Sequence, residues 1–368
     1  MIKLSGASVG IEEKEAVCRV LDSQVLNMGG EVLAFEQELG NFFGRSELHV
    51  LCVHSCTAAL QMATWAKGVS CGDEVLVPSY TFISSFQAVS ANGAIPIPTD
   101  IDIDDGFMNT DDMYKRITSR TKAIMPVLFA GCGGDKIQRI YDIALEKKIA
   151  VIEDAAHSFG DEAIAKRAGT LCFSFDPIKN ITCSDGGCIL TDDDELHEMV
   201  KDARLLGVIG DTEARFQGKR SWNSDTTFQG WRLHMNNICA AIGRAQLSKF
   251  NSDLGLLRKK YANMYIDELK DIGDITLFPL NTKTAVPHIF PIIVKNGKRD
   301  ALQIFLLDKG IETGVQYKPN HLLTKFNAGY SLPNAEWLYK NILSIPLHSR
   351  LSLYEIAYVI EKIKEFFT

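Results

Sequence analysis

Apolar residues fall along this chain in two alternating rhythms. Over residues 10–26 the positions Val17, Val20 and Leu21 follow the spacing of a helix that buries one face. Leu33, Phe35, Leu39, Phe42 and Phe43 do the same over residues 30–43. Residues 50–53, 74–78 and 94–97 are instead short apolar runs of strand length, separated by helical stretches that start near Ser55 and Thr81. Further runs at 122–128 and 149–154 flank a helical pattern over 135–147. Two more, 171–175 and 187–190, follow with no long helix between them. Such strands with intervening helices predict an α/β fold, a mostly parallel sheet flanked by helices on both faces.

Beyond residue 236 the rhythm changes. Ile238, Ala241, Ile242, Ala245 and Leu247 predict one long helix over residues 236–261. A strand over 286–294, a helix over 298–309 and a closing helix over 352–367 follow. This tail predicts a smaller α+β domain, so the chain is expected to divide into a large domain, 1–244, and a small one, 245–368. No internal repeat or low-complexity tract interrupts it.

Composition narrows the function classes. The chain is 46% hydrophobic and 23% charged, enough apolar mass to build a core without disulfides or metals. Its net charge of -7 argues against general affinity for nucleic acid or anionic membrane, while leaving room for a local basic pocket. No run of about 18 apolar residues occurs, so no membrane span is expected. Residues 1–14 lack the basic start and apolar stretch of a secretion signal. Nine scattered cysteines without a Cys-x-x-Cys pair predict buried free thiols in a reducing cytoplasm.

In open α/β sheets, ligands bind beyond the carboxyl ends of the strands. Ser55, Cys56 and Thr57 follow one strand and open a helix, whose first backbone amides can seat a phosphate together with the Ser174 hydroxyl. Asp154 closes another strand, where a carboxylate can keep a pyridine nitrogen protonated. Lys179 offers an amine to an aldehyde cofactor. Taken singly, each has a plainer reading: Asp154 as a turn or cap residue, Lys179 as a solvated loop lysine, residues 55–57 as a helix cap.

Taken in order, these segments resemble the sugar aminotransferases of the DegT/DnrJ/StrS type, within the fold-type-I pyridoxal-phosphate enzymes. The resemblance spans nearly the whole chain. It rests on Ser55-Cys-Thr-Ala-Ala-Leu60, Gly72-Asp-Glu-Val-Leu-Val-Pro-Ser-Tyr-Thr-Phe82, Val151-Ile-Glu-Asp-Ala-Ala-His157 and Ser174-Phe-Asp-Pro-Ile-Lys-Asn180. Gly186-Gly187, Ala240-Ala-Ile-Gly-Arg-Ala-Gln-Leu247 and Ile345-Pro-Leu-His348 complete it.

The resemblance implies a cytoplasmic, homodimeric transaminase with pyridoxal 5′-phosphate as cofactor and no metal. By that likeness Lys179 holds the cofactor covalently and carries a proton to and from the substrate carbon. Asp154 pairs with the pyridinium nitrogen, and Phe82 stacks on the ring. The Cys56 and Thr57 amides and the Ser174 hydroxyl hold the phosphate. His157, where glutamine is frequent, bonds near the cofactor's phenolic oxygen or the substrate; some members that aminate carbon 4 of a sugar carry histidine there. Three positions depart from the pattern: Cys56 replaces a glycine, Asp185 a glutamate, and Arg232 an asparagine that reaches the phosphate from the second subunit. The implied role of Arg232 is that same contact across the dimer, made by charge-assisted hydrogen bonds. Tyr317, His321 and Arg220 are further candidates for sugar contacts.

The implied reaction moves an amino group from L-glutamate to a keto or aldehyde carbon of a sugar. A nucleotide-linked 4-keto or 3-keto deoxysugar is the family's commonest acceptor, in surface-polysaccharide or antibiotic sugar synthesis. A free keto or aldehydo sugar acid is an alternative acceptor. A lyase or dehydratase of the same fold, or a catalytically silent ligand-binding protein, is an alternative function. Lys179 favours transamination over the dehydration carried out by relatives with histidine at this place. A nicotinamide dehydrogenase lacks its loop here, because Gly131-Cys-Gly-Gly134 is followed by Lys136 where Gly-x-Gly-x-x-Gly needs its third glycine. No Walker loop and no His-Glu-x-x-His helix occurs either.

Overall fold

The structure is a computed structural model that describes residues 1–368 apart from 45–48, 134–135, 166, 168 and 220–223. Seven strands build its main sheet: β1 (His49–Val53), β2 (Glu74–Pro78), β3 (Ile95–Thr99), β4 (Thr121–Ile124), β5 (Ala150–Asp154), β6 (Thr170–Ser174) and β7 (Gly187–Thr191). Their order is β1-β7-β6-β5-β4-β2-β3. The pairs from β3 across to β6 are parallel, whereas β7 runs antiparallel to both β6 and β1. The short β6–β7 connection is the reason, since an antiparallel partner needs no helical crossover. Because only β7 is reversed, β1 points the same way as β2, β4, β5 and β6. Their carboxyl ends therefore open on one edge, beside the first residue of β7.

The alternation of side chains along each strand feeds two cores, one per face. On β6, Leu171 and Phe173 join Phe35 and Leu39 of the helix Gly30–Phe42. Cys172 joins Leu60 and Met62 of the helix Cys56–Ala66 on the other face. The second core also takes Leu196 and Val200 from Asp194–Ala203, a helix that sequence reading passed over although its apolar spacing is regular. Burying one such large side chain stabilises by about 1.5–3 kcal/mol, and two covered faces explain the near-continuous apolar runs.

A second, antiparallel sheet has the order β10-β9-β8, formed by β8 (Ile275–Leu277), β9 (Phe290–Val294) and β10 (Ile342–Ile345). The helices Gly255–Leu269, Arg299–Asp308 and Leu353–Phe367 share its core. Near the N-terminus, Ile2 forms a parallel bridge with Ile311 in this part of the molecule.

Three expectations need correction here. The single helix over 236–261 is divided into Asn237–Ser248, one π-helical turn Phe250–Leu254, and Gly255–Leu269. The turn keeps Phe250 and Leu254 buried while Asn251, Ser252 and Asp253 stay exposed. The strand over 286–294 is shorter than its apolar run, because Pro287 cannot donate to a ladder and residues 286–289 leave β9. All nine cysteines are free thiols, but Cys18 and Cys71 are exposed rather than buried. Among the described residues, no helix is long and apolar enough to cross a membrane.

Candidate active site

A cavity of about 230 Å³ lies at the common carboxyl edge of the main sheet. Cys56, Thr57, Phe82, Asp154, His157, Ser174 and Lys179, all singled out from sequence, line it together. They arrive from four strand ends: Cys56 and Thr57 after β1, Phe82 after β2, Asp154 and His157 at and after β5, and Ser174 and Lys179 at and after β6. Ser55 caps the helix Cys56–Ala66 by accepting a hydrogen bond from the Ala58 amide at 3.2 Å. The next amides, those of Cys56 and Thr57, have no partner inside the helix and face the cavity end. Gly187 makes the packing of this helix start possible, since a Cβ there would lie 2.5 Å from the Cys56 nitrogen.

Asp154 closes β5 and is only 4% exposed. Its Oδ2 accepts from the Ser85 hydroxyl at 2.7 Å and its Oδ1 from the Ala156 amide at 3.2 Å. Burial raises its pKa, opposed by these two hydrogen bonds and by the charge of Lys179. Among the described residues no cation forms an ion pair with it. The carboxylate is thus positioned for a positive partner that the protein itself does not supply.

Lys179 sits in the β6–β7 connection, held by its own amide bonding the Asp176 carbonyl at 3.0 Å. The side chain of Asn180 ties this turn down by donating to the carbonyls of Phe159 and Val286 at 2.8 and 2.9 Å. Burial lowers the pKa of Lys179, and the carboxylates of Asp154 and Asp176 act against that. Phe82, at the start of the helix Ile83–Ala91, is 54% exposed and tilts against Tyr317 at 5.5 Å between ring centres. A core-packing role for Phe82 is therefore ruled out, because the ring faces the opening instead.

His157 is buried and accepts the Ala130 backbone N–H at Nδ1, 3.3 Å away. That bond leaves the proton of the neutral ring on Nε2, which meets the Tyr317 hydroxyl at 3.2 Å. Burial, then the charge of Lys179, holds the His157 pKa well below the usual histidine range. The ring therefore acts as a neutral donor, and the Tyr317 proton is left for a ligand.

A profile of the DegT/DnrJ/EryC1/StrS aminotransferase family matches residues 8–364. The chain belongs to that family. Among its relatives, the uncharacterized protein MJ1066 of Methanocaldococcus jannaschii is 32% identical, over 97% of this chain and 95% of that one. PseC of Helicobacter pylori, an aminotransferase involved in the biosynthesis of pseudoaminic acid, superposes with a TM-score of 0.89 at 27% identity. That match covers 100% of this chain and 99% of PseC. The putative sugar aminotransferase Spr1654 of Streptococcus pneumoniae, solved in its PMP form, gives 0.88 at 27% identity, over 99% and 98% of the two chains. This agreement along the whole chain, with the mostly parallel sheet, places the fold among fold-type-I aminotransferases.

Not every expected residue of this family member reaches the cavity. Arg232 is exposed on the extended stretch that pairs with Leu205 and does not line it. His321 is buried away from it, bonded to Ser79 at 2.7 Å and to Glu336 at 3.2 Å. Tyr317 does line it, and Arg220 lies outside the described residues. Sequence reading missed Ser85, Thr81, Gln316 and His288. Ser85 falls one helical turn after Phe82, which was a usable signal. His288 is a lone imidazole in the apolar run 286–294, also visible beforehand; Gln316 and Thr81 offered no distinguishing pattern.

Proposed function

We propose that this chain transfers an amino group from L-glutamate to a keto or aldehyde carbon of a sugar, in the first instance a nucleotide-linked 4-keto or 3-keto deoxysugar. The observation that carries this reading is the meeting, in one cavity, of the Lys179 amine with a buried Asp154 carboxylate that makes no ion pair among the described residues. The donor set suits pyridoxal phosphate, which is the cofactor. Lys179 would hold its aldehyde, Asp154 its ring nitrogen, Phe82 its ring face, and the Cys56 and Thr57 amides with the Ser174 hydroxyl its phosphate.

When bound, this cofactor supplies an electron-accepting ring that stabilises negative charge on the carbon bearing the transferred nitrogen. The protein's own groups do the rest. Asp154, ionised beside a cation, keeps the ring nitrogen protonated. Lys179 Nζ moves the proton to and from the substrate carbon, and its depressed pKa favours the neutral amine that accepts one. Tyr317, whose hydroxyl oxygen accepts from His157 Nε2, offers its own proton to a ligand oxygen at the opening.

PseC's stated part in pseudoaminic acid biosynthesis supports a sugar acceptor. A homodimer with Arg232 reaching the partner's phosphate site is part of the proposal, since Arg232 is exposed and has no place in its own cavity. The division into domains 1–244 and 245–368 stays part of the proposal, supported by the presence of one sheet in each range. A panel of nucleotide-linked and free keto sugars, incubated with cofactor-loaded enzyme and glutamate, tests the function through 2-oxoglutarate release. Amine transfer to one sugar names the acceptor; sugar turnover without 2-oxoglutarate would refute transamination.

A further inference from the structure

His288 belongs to none of the roles assigned above, yet it stands beside the amine on which they depend. It is 3% exposed, on the stretch where residues 286–289 leave β9 and turn towards the main sheet. Its Nε2 lies 3.3 Å from Lys179 Nζ. Its ring is 4.6 Å, centre to centre, from that of His157. Its Nδ1 is buried and, among the described residues, has no hydrogen-bond partner.

We propose that His288 is a positioning residue for Lys179, its Nε2 accepting a hydrogen bond from the lysine amine across the junction of the two sheets. The proposal rests on the reading that Lys179 holds the cofactor. An ammonium or amine can only donate in this contact when the facing nitrogen is bare, so the imidazole is neutral with its proton on Nδ1. Burial holds the His288 pKa well below the usual histidine range, and the charges of Lys179 and Arg258, with His157, add to that. The stranded Nδ1 is the telling feature. A histidine kept only to fill space leaves a buried N–H unsatisfied for no return, where an apolar side chain would avoid the penalty.

The backbone supports the same geometry. The buried guanidinium of Arg258 donates to the His288 carbonyl at 3.0 Å and the Leu347 carbonyl at 3.1 Å. Its other nitrogen reaches the carbonyls of Ile178 and Lys179, each at 3.4 Å. One cation thereby clamps the main chains of both residues whose side chains meet. The lysine turn follows β6 of the main sheet and His288 lies just before β9 of the second one, so this contact lets the smaller layer hold the reactive amine in place.

The test uses the cofactor-free protein first. Selective nitrogen-15 labelling of its eight histidines, with His288→Gln as the difference spectrum, assigns the His288 ring. The expected result at neutral pH is a neutral ring protonated on Nδ1. A proton on Nε2, or a charged ring, overturns the proposal.

The second readout is the pH dependence of pyridoxal phosphate uptake, followed as growth of the visible band. Besides His288, the ionisable groups acting on the Lys179 amine include Cys56, Asp154, Asp176, Arg258 and His157, and they are unchanged in the variants. Losing the acceptor removes a bond that favours the charged amine. His288→Phe should therefore move the uptake midpoint down by about one pH unit. His288→Gln, whose carboxamide oxygen accepts the same bond, should restore it. An identical midpoint in all three proteins overturns the proposal. Lys179→Ala, run alongside, separates the two failures: a band that still grows there removes Lys179 as the cofactor lysine, whatever His288 does.

Discussion

On β5, Glu153 and Asp154 are consecutive residues, and the pleat sends them to opposite faces of the sheet. Both are buried carboxyl groups, and burial raises the pKa of each. Their partners differ completely. Glu153 pairs with Arg167 at 2.6 Å and accepts from the Tyr141 hydroxyl at 2.7 Å. Asp154 has the Ser85 hydroxyl and the Ala156 amide, both neutral, and opens on the cavity. On one face the protein completes the ion pair itself; on the other it leaves the cationic place to a ligand. A buried carboxyl reads as functional here through what it lacks, not through its burial.

The difference can be tested by substitution. Lys179→Ala should remove the visible absorbance of the loaded enzyme and lower turnover by at least about 10⁴-fold, since one group serves as both cofactor anchor and proton carrier. Turnover within tenfold of wild type would end the scheme. Asp154→Asn should come next, with kcat down by about 10²–10³-fold, because a preorganised charge beside the cofactor ring is gone while the fold stays. Glu153→Gln should do the opposite. It leaves Arg167 beside a neutral amide, so urea unfolding should show a loss of about 3 kcal/mol, with kcat changed by less than about threefold. Equal kinetic losses in the two variants would erase the distinction drawn between the two faces.

The smallest effect is one of pH. In cofactor-free protein the folded-state pKa of Asp154 is raised from 3.8. As pH rises, the unfolded chain loses this proton before the folded one does. The stability that the protonated carboxyl contributes is therefore full below the unfolded pKa and is lost as pH rises through the folded one. Cofactor-free Asp154→Asn should match or exceed wild type in stability at pH 7, with the gap closing towards pH 4. A wild type that is the more stable at pH 7 would mean that a cation already sits beside Asp154.

Most of the main sheet was legible in advance. Residues 74–78 form β2 as predicted, and the runs at 50–53, 94–97, 149–154, 171–175 and 187–190 became strands within two residues at either end. Apart from the edge strand β3, whose Ile95 is exposed, such strands are short, apolar and buried on both faces, so local pattern and tertiary role agree. The helix Asp194–Ala203 was missed because no motif pointed to it, not for want of spacing. The π-helical turn at Phe250–Leu254 was not legible, because 3.6-residue periodicity survives a single extra residue.

By itself, the sequence determined the order of strands and helices, the family, and the side chains offered at strand ends, since all of these depend on neighbours within a few positions. The meeting of Lys179 with His288, separated by 109 positions, was decided by the tertiary structure alone. So was the lack, among the described residues, of an ion pair at Asp154. Those properties depend on which distant groups the packing brings within hydrogen-bond reach, and no local spacing encodes that distance.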